Sequence, residues 1–374
     1  MERVLRWPFG PALVAATLLV GARLAAAEAE VPIDRHWIQS LYGDAKLGFA
    51  AYLHARLSYD VHELGGSETA CAGSYQEFSF YMKACASEKL FAMAKMDVED
   101  EDDVLEQLYF QWDDVGGAPV SLSFGEKQVR FGQWAALCYN SGLAYGWPMV
   151  ASDPRDPSGG AKLSLPGWIT DVVQFETRVK LHRTTDLYVS SLLNPRAAYG
   201  TTADGAPRDT GLFQSYSAQI ETRPVAGLHA KLSLLSFHDE EPRNRYDGTL
   251  LPFPSKDARA WSAAATWTKK PWRVFAEYVG TDDWDNVKGF DLRLYELGFW
   301  FDATPRIGFG ALWDWAEAAG QGALGADAVL TCFMAGVGFT FEKDVKAYIE
   351  YVHQEERSAL ERIDSVQAGV HWWF

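Results

Sequence analysis

Along residues 364–374, Val366, Ala368, Val370, Trp372 and Phe374 occupy one phase of a period-two alternation, and Ser365, Gln367, Gly369, His371 and Trp373 occupy the other. Side chains of an extended strand point alternately to its two faces, so this stretch reads as a strand with one apolar and one mixed face. A helix would repeat its apolar residues at three and four instead. In a soluble protein the apolar face needs a core. The other solvent for it is lipid, where only helices and closed barrels satisfy their backbone groups. The alternation runs longer in residues 46–61, where Leu47, Phe49, Ala51, Leu53, Ala55, Leu57, Tyr59 and Val61 alternate with Gly48, Ala50, Tyr52, His54, Arg56, Ser58 and Asp60.

With 15 Trp, 16 Tyr and 21 Phe, the chain is 14% aromatic, yet no uninterrupted apolar run reaches the ~18 residues of a membrane helix. A helical membrane protein is therefore excluded, whereas alternating strands dilute a lipid-facing half with an equal polar half. Residues 1–27 carry Arg3 and Arg6, an apolar run from Pro11 to Val20, and small residues ahead of Glu28, as a secretory signal peptide does. A membrane anchor would need a longer apolar segment than Arg23 allows. The expected organisation is a signal peptide over residues 1–27, a periplasmic lead-in over 28–45 and one transmembrane β-barrel over 46–374. The formal charge of −16 becomes more negative once Arg3, Arg6, Arg23 and Glu2 are removed. Such a chain is a poor partner for nucleic acid, whose phosphates require clustered Lys and Arg.

Read backwards from residue 374, the alternation predicts strands over 345–353, 328–341, 306–315, 289–301, 272–280, 259–268, 226–238, 214–222, 187–194 and 170–182. Residues 120–131, 104–112, 89–98 and 76–86 read as strands with a weaker period, and residues 90–96 also fit the start of a helix. With 46–61 the total is about sixteen, an even number within the range of bacterial barrels. Short polar turns, such as Glu342-Lys343-Asp344 and Arg223-Pro224, alternate with longer connections over 195–211, 239–258, 281–288, 316–327 and 354–363. Short turns on one rim and long loops on the other are the pattern of outer-membrane barrels, and a β-sandwich does not predict it.

The longest connection, residues 133–169, is the third long one in chain order, and a loop of that length is usually functional. In strand number, loop order and a terminal strand ending in Phe374, the chain resembles the porins of Gram-negative outer membranes. That resemblance implies a sixteen-stranded antiparallel barrel whose third loop folds into the lumen and narrows it. It also implies lipid and lipopolysaccharide around the barrel, small hydrophilic solutes within it, and a homotrimer, although no segment identifies a trimer interface. Residues 122–132, Leu-Ser-Phe-Gly-Glu-Lys-Gln-Val-Arg-Phe-Gly, are similar to the Phe-Gly-Lys-Gln…Pro-Phe-Gly stretch of porin-like proteins related to Legionella siderophore porins and to phosphate-selective porins. Arg130 stands where that stretch has Pro.

The polar phases direct His54, Arg56, Lys83, Arg178, Lys180, His182, His229, Lys231, Arg273 and Lys346 toward the lumen, with Glu77, Glu176, Glu277 and Glu350 beside them. A water-filled channel lined by both signs passes small solutes and biases them by charge. The functional expectation is a transverse field at a constriction, with wall cations facing Asp153 and Asp156 in the long loop, where Arg155 also belongs to the constriction. The plainer alternative is that these side chains are solvated or paired across strands. The acidic residues 97–103 are expected to cap an outer loop, either as a solvated tip or as a site for divalent cations that bridge lipopolysaccharide phosphates. Cys71 and Cys85 would lie too far apart along one strand to bridge, whereas Cys138 and Cys332 are a conceivable pair. The sequence holds no Cys-x-x-Cys or Cys/His metal spacing, so neither metal nor cofactor is expected. There is no Gly-x-Ser-x-Gly elbow and no His-Glu-x-x-His, so no enzyme is expected. The expected function is a passive-diffusion channel. The alternatives are a substrate-specific porin for an iron-siderophore or an anion, a non-conducting outer-membrane enzyme or adhesin plugged by side chains such as Phe275 and Tyr348, and a secreted soluble β-protein.

Overall fold

The computed structural model describes residues 37–39, 46–97, 107–127, 130–132, 172–192, 215–237, 257–283, 289, 291–319, 321–322, 325–326, 329–342, 345–356 and 361–373. The signal peptide lies outside the described residues, and of the lead-in only the short β1 (Trp37–Gln39) is among them. The long strands begin with β2 (Lys46–Leu64), β3 (Ser67–Cys85), β4 (Leu90–Asp97), β5 (Gln107–Trp112) and β6 (Val120–Lys127). They continue with β7 (Val172–His182), β8 (Thr185–Leu192), β9 (Ser215–Val225), β10 (Leu228–Phe237), β11 (Ala258–Lys269), β12 (Trp272–Asp282), β13 (Asp291–Asp302) and β14 (Ile307–Ala319). After a two-stranded hairpin, β15 (Gln321–Gly322) and β16 (Gly325–Ala326), come β17 (Val329–Glu342), β18 (Val345–Glu356) and β19 (Glu361–Trp373).

These strands form a 17-stranded sheet, consisting of β1 and a ring of sixteen, in which every pairing is antiparallel. The ring closes where β19 meets β2, from Glu361↔Leu64 to Trp373↔Tyr52. Closure removes the open edge that would otherwise present unpaired backbone groups to lipid. No helix among the described residues is long and apolar enough to cross a membrane; in this transmembrane barrel the strands cross.

The two phases of each strand have unlike surroundings. Leu57, Leu232, Leu234, Phe309, Trp313, Phe333, Ile349, Val366 and Trp372 point outward and are exposed. Gln174, Glu176, Gln219, Glu277, Glu296 and Asp314 point inward and are buried. An apolar exterior around a polar interior inverts a soluble fold and matches lipid outside. Aromatic residues mark both rims. Trp272 and Phe301 meet as a tilted pair, 4.4 Å between centroids, beside the short turns. Tyr278, Tyr295 and Trp315 form a row, 5.0 and 5.2 Å apart, toward the long connections. Such girdles sit at the two membrane–water interfaces.

Three local expectations change. The first hairpin does not open near residue 61: β2 and β3 run on to a two-residue turn at Gly65 (φ 57) and Gly66 (φ 85). Positive φ at both central residues is the tight turn whose twist matches paired strands. Second, β9 continues through Arg223 and Pro224 to Val225, and the turn falls at Ala226-Gly227, where Gly227 has φ 92. The register irregularity between Leu228 and Ala230 absorbs the extra residues. Third, the connection expected over 316–327 contains the end of β14 and the β15–β16 hairpin.

Candidate functional site: the lumen wall and its inward segment

Just past β6 the chain leaves the wall. Arg130, Phe131 and Gly132 lie inside the ring, where Arg130 and Gly132 meet residues of β7, β8, β9, β10 and β12, and Phe131 is only 3% exposed. Arg130 Nε donates to Glu176 Oε2 of β7 at 3.1 Å, and its guanidinium sits 4.1 Å from the Tyr188 ring centroid on β8. Gly132 N donates to Ser233 Oγ of β10 at 3.0 Å, and Gln219 Nε2 of β9 donates to Gly132 O at 3.3 Å. Gly132 has φ 65, and a Cβ there would collide with Glu277 Oε1 of β12. Only glycine fits both the backbone conformation and the approach. Ser262 Oγ fixes that carboxylate by donating to Oε1 at 2.6 Å. The strand expected over 120–131 therefore ends earlier, at Lys127, and residues 130–132 lie inside the ring; the long connection expected over 133–169 begins just beyond them. That connection, including Asp153, Arg155, Asp156 and Cys138, lies outside the described residues.

The cations of the inward phase concentrate at one end. Lys83 closes β3, Arg178 and Lys180 lie near the end of β7, His229 and Lys231 open β10, and Arg273 and Lys346 open β12 and β18, all beside short turns. A cavity of about 530 Å³ at this rim is lined by Lys270, Arg273, Trp300, Asp302, Lys346 and Tyr348, among others. Several cations there already have local partners. Arg178 Nη2 donates to Asp186 Oδ2 at 3.0 Å, Lys83 Nζ lies 4.7 Å from the Phe91 ring centroid, and His229 Nε2 is 2.8 Å from Glu221 Oε1. His229 and Lys231 are buried in the wall. Lys180 and His182 are exposed. A register irregularity between them takes His182 to the turn, where its Nδ1 lies 3.1 Å from Thr184 Oγ1. Farther along the wall, Arg56 Nη1 donates to Gln367 Oε1 at 3.3 Å. His54 lies opposite Glu77 and His371 in the register of β2 with its neighbours.

Deeper in the barrel acidic residues line part of the inner wall. Glu277 is paired in register with Glu296, and Glu296 with Asp314, so three buried carboxylates cross β12, β13 and β14 side by side. The inner wall thus carries a row of acidic residues deeper than the basic residues of the short-turn rim.

The bulky side chains of the inner phase lie along the wall. The Phe275 ring covers Gly298, Trp300 covers Gly308 and Tyr348 covers Gly369; a Cβ at any of these glycines would collide with the ring. A large side chain beside a glycine on the next strand can lie flat instead of projecting along the radius. Cys71 and Cys85 lie on the same strand, and Cys332 is buried on the inward phase.

The sequence reading passed over Arg130 as a site residue, although its position was visible as a departure from the similar porin stretch. It also missed the acidic row at Glu296 and Asp314. The signal for both acids was available, since each falls on the phase opposite the outward aromatics of its own strand.

No family model and no curated protein sequence matches the chain. Solved structures do match in fold. The anion-selective porin from Comamonas acidovorans is 11% identical, with a TM-score of 0.60 over 88% of this chain and 100% of that one. The outer membrane channel DcaP of Acinetobacter baumannii is 12% identical, with a TM-score of 0.59 over 91% of this chain and 100% of that one. The trimer form of OmpT, an outer membrane protein of Vibrio cholerae, is 11% identical, with a TM-score of 0.54 over 88% and 99%. The fold is therefore that of a porin-type transmembrane β-barrel.

Proposed function

We propose that this chain is an outer-membrane channel that admits small hydrophilic solutes by passive diffusion, and not one of the barrel enzymes. The observation that carries the reading is the seat of Arg130 to Gly132 inside the closed ring, held from β7, β8, β9 and β10 at once. A short segment fastened against the inside of a polar ring narrows a channel without abolishing it. Aromatic rings laid over glycines favour the same reading over a plugged lumen. Liposome swelling in neutral sugars of increasing size tests it. Rates that fall smoothly with solute size support the channel, and barrels that fold into liposomes without any swelling contradict it.

One observation favours a narrower version, in which anions are the preferred solutes. Lys270, Arg273 and Lys346 border a single cavity at the short-turn rim, and a cationic rim raises the local concentration of anions. Trimeric assembly, the form described for the similar OmpT, belongs to the same proposal and is read from the mass of the detergent-solubilised complex.

A further inference from the structure

The extended first hairpin brings together three side chains that are far from any metal motif in sequence. Gly65 and Gly66 set the register, so that Asp60 faces Cys71 across the ladder. His62 is two residues beyond Asp60 on the same strand and therefore on the same face. One carboxylate oxygen of Asp60, one ring nitrogen of His62 and Sγ of Cys71 lie within 4.8 Å of one another. Cys71 is a free, exposed thiol, while Asp60 and His62 are half-buried.

The carboxylate is held in place. Ser58 Oγ donates to Asp60 Oδ2 at 3.0 Å, and Ser365 Oγ of β19 donates to Oδ1. Each oxygen keeps a further lone pair for a metal, and such outer partners orient a ligating carboxylate. The site lies on the inward phase of the hairpin, level with the polar outer cluster of Arg362, Asp364 and His353. It therefore sits toward the long-connection mouth, outside the apolar band.

We propose that Asp60, His62 and Cys71 form a binding site for a divalent metal ion of the Zn²⁺ class. One thiolate, one imidazole and one carboxylate are the mixed donor set of such ions, whereas Ca²⁺ and Mg²⁺ take oxygen alone. Bonds of about 2.0–2.3 Å place tetrahedral ligand atoms ~3.5 Å apart, so the trio closes on an ion by side-chain rotation alone. Three protein ligands leave the fourth position to water. Binding takes the thiol proton from Cys71 and releases it to solvent. The bound ion adds positive charge at a mouth whose hairpin otherwise carries Asp60, Glu63 and Glu68.

The test uses the full mature chain refolded in detergent, with Cys85, Cys138 and Cys332 replaced by Ser so that Cys71 is the sole thiol. It is kept reduced and titrated with Co²⁺ and then Zn²⁺. The expected result is one equivalent of Co²⁺ with a thiolate-to-cobalt charge-transfer band that Zn²⁺ abolishes. Zn²⁺ should also slow alkylation of Cys71. H62A and C71S should weaken binding by more than the ~10–100-fold that loss of an outer partner costs, and Ser365→Ala by about that amount. E63Q and E68Q should leave binding unchanged. Absence of the band in folded protein, or binding of equal strength in H62A, overturns the proposal. Folding of each variant is checked by heat-modifiable mobility, and conductance plays no part in the readout, so failure of the metal site leaves the channel reading untouched.

Discussion

Arg130 and Glu176 meet at 3.1 Å inside the ring, Arg130 arriving from the segment after β6 and Glu176 belonging to the β7 wall. The carboxylate is 4% exposed and the guanidinium 38%. Removing the arginine leaves a buried carboxylate without its cation. Because Arg130 is partly solvated, R130A should cost about 1–3 kcal/mol, below the value for a fully buried pair. Its larger effect should be on the channel, because the inward segment loses its tie to β7 and β8. Single-channel recordings should show noisier current and higher mean conductance than wild type; unchanged traces would argue against Arg130 as the tie.

Gly132 is the second anchor. G132A forces a side chain into a position where φ is 65 and Glu277 Oε1 already stands. The backbone strain alone is worth roughly 1–3 kcal/mol. The segment should shift before the barrel does, so G132A should keep heat-modifiable mobility while its conductance differs from wild type. Failure to fold would show instead that the contact supports the barrel itself.

At the short-turn rim, Arg273 and Lys346 border the same cavity. R273A/K346A should move the reversal potential under a salt gradient toward cation preference, with the shift shrinking as salt rises. A shift toward anions would remove this rim from the determinants of selectivity.

The Phe275 ring lies over Gly298. G298V should lift it from the wall into the lumen and lower conductance, and F275A in the same background should restore it. Conductance that ignores both changes would mean that the ring does not border the conducting path.

On the outside, Leu232 is 59% exposed near the middle of β10. L232R should destabilise the lipid-embedded barrel by about 2–4 kcal/mol, measured by denaturant unfolding in liposomes. A neutral effect would place this face outside the hydrocarbon.

The ring of sixteen was legible because period-two alternation survives wherever one face meets lipid, as in Val366 to Trp372 and Phe333 to Phe341. Turns were less legible. Gly65-Gly66 lies beyond the end of the clean apolar phase, where both strands turn polar on each face and the period no longer marks the pairing. Pro224 suggests a turn, but a strand end at a barrel rim tolerates it. Site residues were legible as a phase and not as partnerships. Lys231 and His229 fall on the inner face as the alternation requires, yet their burial beside Glu221 depends on register across three strands. The contacts of Arg130 and Gly132 depend on the chain turning inward after β6, which no local period encodes. The Asp60, His62 and Cys71 trio is likewise created by register alone.

The most direct test of the channel reading is planar-bilayer recording of the mature, detergent-refolded chain. Steady stepwise openings, with a reversal potential that changes in R273A/K346A, are the predicted result. A barrel that is fully folded by heat-modifiable mobility and inserts without conducting contradicts it.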